Sequence, residues 1–374
     1  MDAMKISSEV QMLNALELFH YSYRFQNRLF VLSLSNDLDL ADIVTDIRVL
    51  NAARIRCLVI VKQSENLPQT VENWNKRGYP FTWFACKSME AENNATVEAL
   101  RDSTESGDIP VLGIGGNQQP AISQEEMDRF TIDLAAHFVV DKVFFLSRYN
   151  GLEIDNRFIS HLTPQEAQQK LGEDSSVNIG KERLTCFVQS NLDIGFEIVL
   201  LKGENGSLFQ EIFTHRGVGT LLTNDYPNVI RKGKLSDVMD ITLLLKPYVL
   251  SGAILPVSED AIAREVTDYY VYTVNRSIVA IAKLTDHGPA TELAKFCTLP
   301  RYQGKGRARE LAEKMIATVK QANKAYMFAL SIEPKMFDFF KSLGFKECDR
   351  STLPDSWKQN YDLRRSSKAF RLDV

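Results

Sequence analysis

The first half of the chain alternates short apolar runs with longer amphipathic stretches. The runs at 28–34, 56–61, 109–114 and 142–147 are rich in Val, Ile, Leu and Phe, and read as strands buried on both faces. Between the first two, Ile43, Ile47 and Leu50 recur at helical spacing, and "SQEEMDRFTIDLAAHF" reads as a further helix. Pro164 following Thr163 predicts a capped helix over Leu162–Gly172. The stretch from "ERLTCFVQSN" to "GVGTLL" is read as more strands that close this unit. Strand and helix in this rhythm predict an α/β fold, a mainly parallel sheet between helices.

The polar cluster "TNDYPN" (Thr223 to Asn228) marks a boundary, giving domains at 1–225 and 226–374. Beyond it the pattern changes. "VIRKGKLSDVMDITLLLKPYVLSG" reads as a strand, a capped helix and a glycine stop, and "DYYVYTVNRSIVAIAKL" as a hairpin turning at Asn275 and Arg276. "ATELAKFCTL" and "AYMFALS" are strands on either side of an amphipathic helix whose Ala308, Leu311, Ala312, Met315, Ile316 and Val319 share a face. "PKMFDFFKSLGF" is a short helix ended by Gly344.

Length agrees with two cores, since 374 residues exceed what one ordinarily organises. Apolar residues at 44% and charged residues at 25% place the chain among globular proteins. A net charge of −4 argues against nucleic acid as the main partner. Cys57, Cys86, Cys186, Cys297 and Cys348 are odd in number and scattered, which predicts reduced thiols and no metal site. No run has the length of a signal-peptide core or a membrane span, so the expectation is a cytoplasmic protein without a membrane partner.

The chemistry concentrates in "CTLPRYQGKGRARELAEKMIATVKQ", Cys297 to Gln321. A strand, Pro300, a turn with Gly304 and Gly306, and then a long helix bring the amides of Gln303 to Ala308 to a helix N-terminus. Those amides lack intrahelical acceptors and the helix dipole is positive there, so an anion is favoured. The two glycines allow close approach of a diphosphate, and Arg301, Lys305, Arg307 and Arg309 add positive charge.

Arg301, Gly304 and Gly306 after a strand, with "FFKSLGF" downstream, resemble the GNAT N-acetyltransferase family. The resemblance implies a mixed-sheet GNAT domain using acetyl-CoA as cosubstrate. The pyrophosphate would lie on Arg301, Gln303, Gly304, Lys305, Gly306, Arg307 and Ala308, and the pantetheine arm along Phe296, Cys297, Thr298 and Leu299. "IRKGKLSDVMDITLLLKPYVLSGAILPVSEDAI", "ELAKFCTLP" and the tail "LPDSWKQNYDLRRSSKAFRLDV" are similar to the bacterial N-acetylglutamate synthase family. The first half looks like its amino-acid-kinase-like domain at "SHLTPQEAQQKL" and "EIFTHRGVGTLL".

That likeness implies a homo-oligomeric enzyme, assembled through its first domain, that acetylates the α-amine of L-glutamate at the entry to arginine synthesis. Glu292 matches the family's base, suited to an acceptor amine that is an ammonium at neutral pH. Backbone amides near Lys295 and Phe296 would polarise the thioester. Lys295, Lys358, Arg364, Arg365 and Ser367 are the expected acceptor contacts, because a dicarboxylate calls for cations. Cys297 is read as a buried apolar residue, and Tyr302, Ser331 and Tyr361 as alternative general acids. Pro256, Val257 and "SIEPKM" (Ser331 to Met336) depart from the family pattern near the acceptor. Another amino acid or small amine as acceptor, or a non-catalytic amino-acid sensor that binds acetyl-CoA, therefore stands beside the glutamate reading.

Active amino-acid kinases carry glycine clusters after their first two strands. This chain has Ser33, Ser35 and Asn36, then Lys62, Gln63 and Ser64, so kinase activity is not expected. "GIGGNQ" (Gly113 to Gln118) is read as a plain turn, and "THRGVGT" (Thr214 to Thr220) matches part of the arginine feedback region of the synthase family. His20, His137, His161, His215 and His287 are isolated, and Trp74 and Trp83 read as packing residues.

Overall fold

The fold is that of a computed structural model describing residues 2–86, 94–115, 122–171, 174–193, 196–214, 217–223, 228–274 and 277–374. His215, Gly116 to Gln118, Asn275 and Arg276, and most of the "TNDYPN" segment lie outside the described residues. Two compact units are present: Asn14–Asp225, and Tyr226–Val374 grouped with Met1–Leu13.

In the first unit, β1 (Leu29–Leu34) turns Phe30, Leu32 and Leu34 into one apolar core and Leu29 and Val31 into the other, which explains its unbroken apolar run. The sheet continues with β2 (Arg56–Lys62), β3 (Phe81–Cys86), β4 (Ile109–Ile114) and β5 (Val140–Ser147). A separate hairpin pairs β6 (Leu152–Ile154) with β7 (Arg157–Ile159), and β8 (His161–Leu162), β9 (Glu197–Lys202) and β10 (Thr220–Leu222) complete the sheet. The order is β3-β4-β2-β1-β5-β9-β10-β8, parallel except where β10 runs against β9.

A long helix α1 (Asp2–Phe25) opens the chain. The rest are α2 (Val44–Ala52), α3 (Leu67–Lys76), α4 (Asn94–Ser106), α5 (Gln124–Ala135), α6 (Pro164–Lys170), α7 (Lys181–Asp193) and α8 (Ser207–Phe213). Residues of α4 to α7 supply one core of this sheet and residues of α2, α3 and α8 the other, so the architecture is a three-layer αβα sandwich. Thr163 caps α6 through a reciprocal box with Glu166.

The expectation of strands over "ERLTCFVQSN" is overturned, because this segment is helix α7. Leu184 and Phe187 are both buried, and their three-residue spacing serves one helix face rather than a strand. Tertiary burial decided between two periods that a short window leaves close.

The second unit is a seven-stranded mixed sheet. Its strands are β11 (Val229–Lys232), β12 (Tyr269–Val274), β13 (Ser277–His287), β14 (Ala290–Thr298), β15 (Tyr326–Ser331), β16 (Lys346–Cys348) and β17 (Lys368–Asp373), in the order β11-β12-β13-β14-β15-β17-β16. Every neighbouring pair is antiparallel except β14 with β15. Helices α11 (Arg307–Gln321) and α12 (Pro334–Ser342) pack on one face. On the other lie α9 (Val238–Leu250), α10 (Glu259–Arg264) and the single turn α13 (Asp355–Lys358). Among the described residues no helix is long and apolar enough to cross a membrane.

Candidate functional site

The site is built on the one parallel pair of the second sheet. β14 and β15 pair from Ala290 with Tyr326 to Leu293 with Ala329 and no further, although β14 runs to Thr298 and β15 to Ser331. The cause lies in β14. Ala294 pairs with Lys283 and Cys297 with Ile281, so Lys295 and Phe296 together stand opposite the single residue Ala282. This is a β-bulge, and Lys295 carries it at φ 51°, a left-handed conformation unusual for a residue with a Cβ. The bend turns β14 out of register with β15 and opens a cleft whose wall is the unpaired edge of β14.

Beyond that edge, Leu299 leads into a single 3₁₀ turn, Pro300–Tyr302, and then the glycine turn. Gly304 and Gly306 have φ of 73° and 77°, and Gly306 is the N-cap of the 15-residue α11. A Cβ at Gly304 would meet nothing within 4 Å, so no side chain fills the turn at that point. The first helical acceptor, Gly306 O, is taken by the amide of Glu310, so the amides of Arg307, Ala308 and Arg309 precede the helical ladder. The Arg307 guanidinium lies over the Tyr302 ring at 5.0 Å, with Nε and one terminal nitrogen buried and without a hydrogen-bond acceptor. Unsatisfied buried donors on a cation are costly, and an anion here would satisfy them. Arg309 is committed elsewhere, to Ser342 Oγ at 2.7 Å on α12.

One contact bears on the edge itself. The Tyr248 hydroxyl donates to Thr298 O at 2.5 Å and accepts from Thr298 N–H at 3.2 Å, while Gln303 Nε2 donates to the same hydroxyl and to Thr298 O. Burial pushes the Tyr248 phenol up. This tyrosine, the one aromatic of α9, escaped the sequence reading, since nothing in the sequence pairs it with Thr298, fifty residues on.

Glu292 sits on the last paired stretch of β14, between Thr285 on β13 and Phe328 on β15. Its carboxylate is 17% exposed, with Oε2 at 3.8 Å from His287 Nε2. Lys295, from the bulge, donates to Leu255 O at 2.8 Å just before Pro256. Burial lowers the Lys295 ammonium below the usual lysine range, and the nearby cations Lys283 and Arg365 act in the same direction, with Glu292 opposing them. Arg365 donates to Gly252 O and, at 3.1 Å, to Ala253 O at the end of α9. Ser367 is buried and accepts from Tyr361 OH at 2.9 Å.

Thus the fold gathers Glu292, Lys295 and Arg365. It does not bring in Arg364, which is exposed and pairs with Asp362, and Lys358 pairs with Asp355 on its own helix. Cys297 is 1% exposed and burial holds its thiol well above the usual value, which suits a packing residue. Tyr302 is engaged by Arg307, and Ser331 Oγ accepts from Glu333 N–H. Two further residues of the site, Lys283 and His287, were legible in principle. Both lie on β13 in alternation with Thr285, the partner of Glu292, so a hairpin turning at Gly288–Pro289 puts them on its face.

Residues 256–356 match the family profile described as Acetyltransferase (GNAT) domain. The chain is similar to amino-acid acetyltransferases of Shigella flexneri, 26% identical over 74% of this chain and 64% of that protein, and of Pasteurella multocida (strain Pm70), 28% identical over 63% and 55%. It therefore spans less than two thirds of these relatives' length. N-acetylglutamate synthase from Neisseria gonorrhoeae, solved with coenzyme A and L-arginine, has the same fold, with a TM-score of 0.57 at 17% identity, covering 96% of this chain and 98% of that one. The second unit, with its bulged strand, cleft and glycine turn, carries a GNAT acetyltransferase domain.

Proposed function

We propose that the second unit moves the acetyl group of acetyl-CoA to the α-amine of L-glutamate, the entry step of arginine synthesis. The observation that carries this reading is the cleft between β14 and β15. It has a carboxylate, Glu292, on its rim and an anion-ready helix N-terminus, with the unpartnered donors of Arg307, at its far end. Acetyl-CoA supplies the activated acetyl group. The backbone edge from Phe296 to Leu299 lies along the pantetheine arm, and the turn from Gln303 to Ala308, with Arg301, receives the pyrophosphate. Glu292 removes the ammonium proton, so the freed amine attacks directly with no acyl-enzyme.

Lys295 and Arg365, beside Lys283, account for an acidic acceptor. Lys283 is itself paired with Glu265 at 2.7 Å, but Lys295 and Arg365 repel each other, and a bound dicarboxylate relieves that repulsion while using the donors Arg365 has not committed to Gly252 and Ala253. Ser367 completes this side.

A second reading, acetyl transfer to another small amine, is favoured by the outward placement of Arg364 and by the Pro256–Val257 segment beside the Lys295 anchor. Acetyl-CoA turnover measured across the free amino acids separates the two. Glutamate-selective release of coenzyme A supports the first and selectivity elsewhere supports the second. Binding without turnover leaves a sensor, and no acetyl-CoA binding at all sinks every version.

On the same reading the first unit assembles the cytoplasmic homo-oligomer and senses arginine. A cavity of about 420 Å³ beside Val218 is lined by Glu153, Lys202, Glu204, Asn205 and Gln210; Lys202 pairs with Glu204 at 2.7 Å, and Glu153 is the carboxylate offered to a guanidinium ligand.

A further inference from the structure

His287 ends β13 across the tight turn from Glu292, with its side chain only 9% exposed. Nδ1 is 2.9 Å from Ser356 Oγ on α13, whereas Nε2 is buried without a hydrogen-bond partner and faces Glu292 Oε2 at 3.8 Å. The ring is held in place by Phe328, at 5.6 Å between centroids, which itself packs edge-on to Trp357 of α13. The charged groups around it are Glu292 from β14 and Asp286 on its own strand. Asp286 is tied by Lys324 at 2.8 Å, from the turn before β15.

A neutral imidazole has one donor and one acceptor nitrogen, and a serine hydroxyl serves as either. If Nδ1–H donates to Ser356, the Nε2 lone pair faces a carboxylate oxygen and can take a proton from it once that oxygen is loaded. If Ser356 donates instead, Nε2–H points at Glu292.

We propose, resting on the acetyl-transfer reading above, that His287 is a positioning residue that receives the amine's proton from Glu292 and passes it outward. The ammonium N–H bond breaks as the Glu292 O–H bond forms. That proton then moves to His287 Nε2, the Nδ1 proton moves to Ser356 Oγ, and the hydroxyl proton is lost to water. Tautomer exchange resets the ring, and no electrons change hands. The relay matters because each turnover loads one proton onto a partly buried carboxylate, which must be emptied before it acts again.

The test compares kcat and kcat/KM over pH for the wild type, His287→Asn and Ser356→Ala, using acetyl-CoA and glutamate. A relay predicts a fall in kcat of about 10- to 100-fold near neutral pH for His287→Asn. The KM for acetyl-CoA should stay put, and activity should recover with added imidazole and at alkaline pH, where the acceptor amine is already neutral. Ser356→Ala should show a smaller loss with the same pH dependence. A loss uniform across pH and untouched by imidazole, or no loss, overturns the proposal.

Nitrogen-15 NMR of the ring separates this failure from failure of the acetyl-transfer reading. Glu292→Gln should change the Nε2 shift through the altered partner, with or without turnover. An unchanged ring spectrum overturns the pairing itself.

Discussion

At the end of β1 the amide of Ser35 bonds Leu146 O, that of Asn36 bonds Gln124 Oε1, and that of Leu38 returns to Ser35 O. Ser35 also donates to Asp37, whose carboxylate pairs with Arg148 at 2.9 Å. At the start of α11 the amides precede the helical ladder, Gly304 opens onto free space, and Arg307 keeps buried donors without an acceptor. Both are turns leaving a strand of an α/β unit. The first has satisfied these polar groups from within, while the second has left its donors to be satisfied from outside. A binding turn is thus marked less by glycine than by unmet hydrogen-bonding demand.

The largest effect that tests this contrast is expected at the rim of the open cleft. Glu292→Gln should lower the rate of coenzyme A release by about 10²- to 10⁴-fold while acetyl-CoA affinity, read by calorimetry, holds. Equal loss of both would remove the base assignment.

Next comes Arg307→Met. Losing a charged donor to a phosphate should weaken coenzyme A about 10- to 100-fold, whereas thermal stability without ligand should hold or rise, because two buried donors without acceptors disappear. A drop in stability with unchanged affinity would show that Arg307 serves the fold.

Gly113→Ala probes the closed unit. A Cβ there would collide with the Trp83 ring, so about 1–3 kcal/mol of stability should be lost in denaturant titrations with acetyl transfer per folded molecule intact. No destabilisation would mean that Trp83 is free to shift.

Tyr248→Phe is a finer probe. If the pantetheine arm takes over the Thr298 groups that the phenol now holds, removal of the hydroxyl should tighten coenzyme A by roughly threefold, because the arm no longer has to displace the phenol's two bonds to Thr298. Weaker binding would make the phenol part of the cradle.

The smallest effect concerns Lys295, whose folded-state affinity for its proton is lowered by burial. The unfolded chain binds that proton more tightly, so wild-type stability relative to Lys295→Met should climb as pH rises toward the ordinary lysine range. A flat difference across that range would contradict the burial argument.

Local patterns were read well where they repeat. The apolar runs at 29–34 and 109–114 are strands because both faces of a parallel sheet are covered, and "RYQGKG" before an amphipathic stretch is a helix-capping turn in the structure as in the sequence. The segment at 181–193 failed because its apolar residues fit two periods, and only the packing of Leu184 and Phe187 chose the helix. "GIGGNQ", read as a plain turn, hides a packing constraint at Gly113 that depends on Trp83, thirty residues away and on another strand.

By itself, the order of residues determined the alternation of elements, the glycine turn and the placing of Glu292 on the strand that leads into it. Periodicity and dihedral preference act over a few residues, which is why they can be read in a line. Only the tertiary structure decided that β14 bends away from β15 after Leu293, that Arg364 points out while Arg365 is anchored on Gly252, and that His287 backs onto Glu292. Those outcomes depend on which strands pair and in what register, and pairing joins residues far apart in the chain.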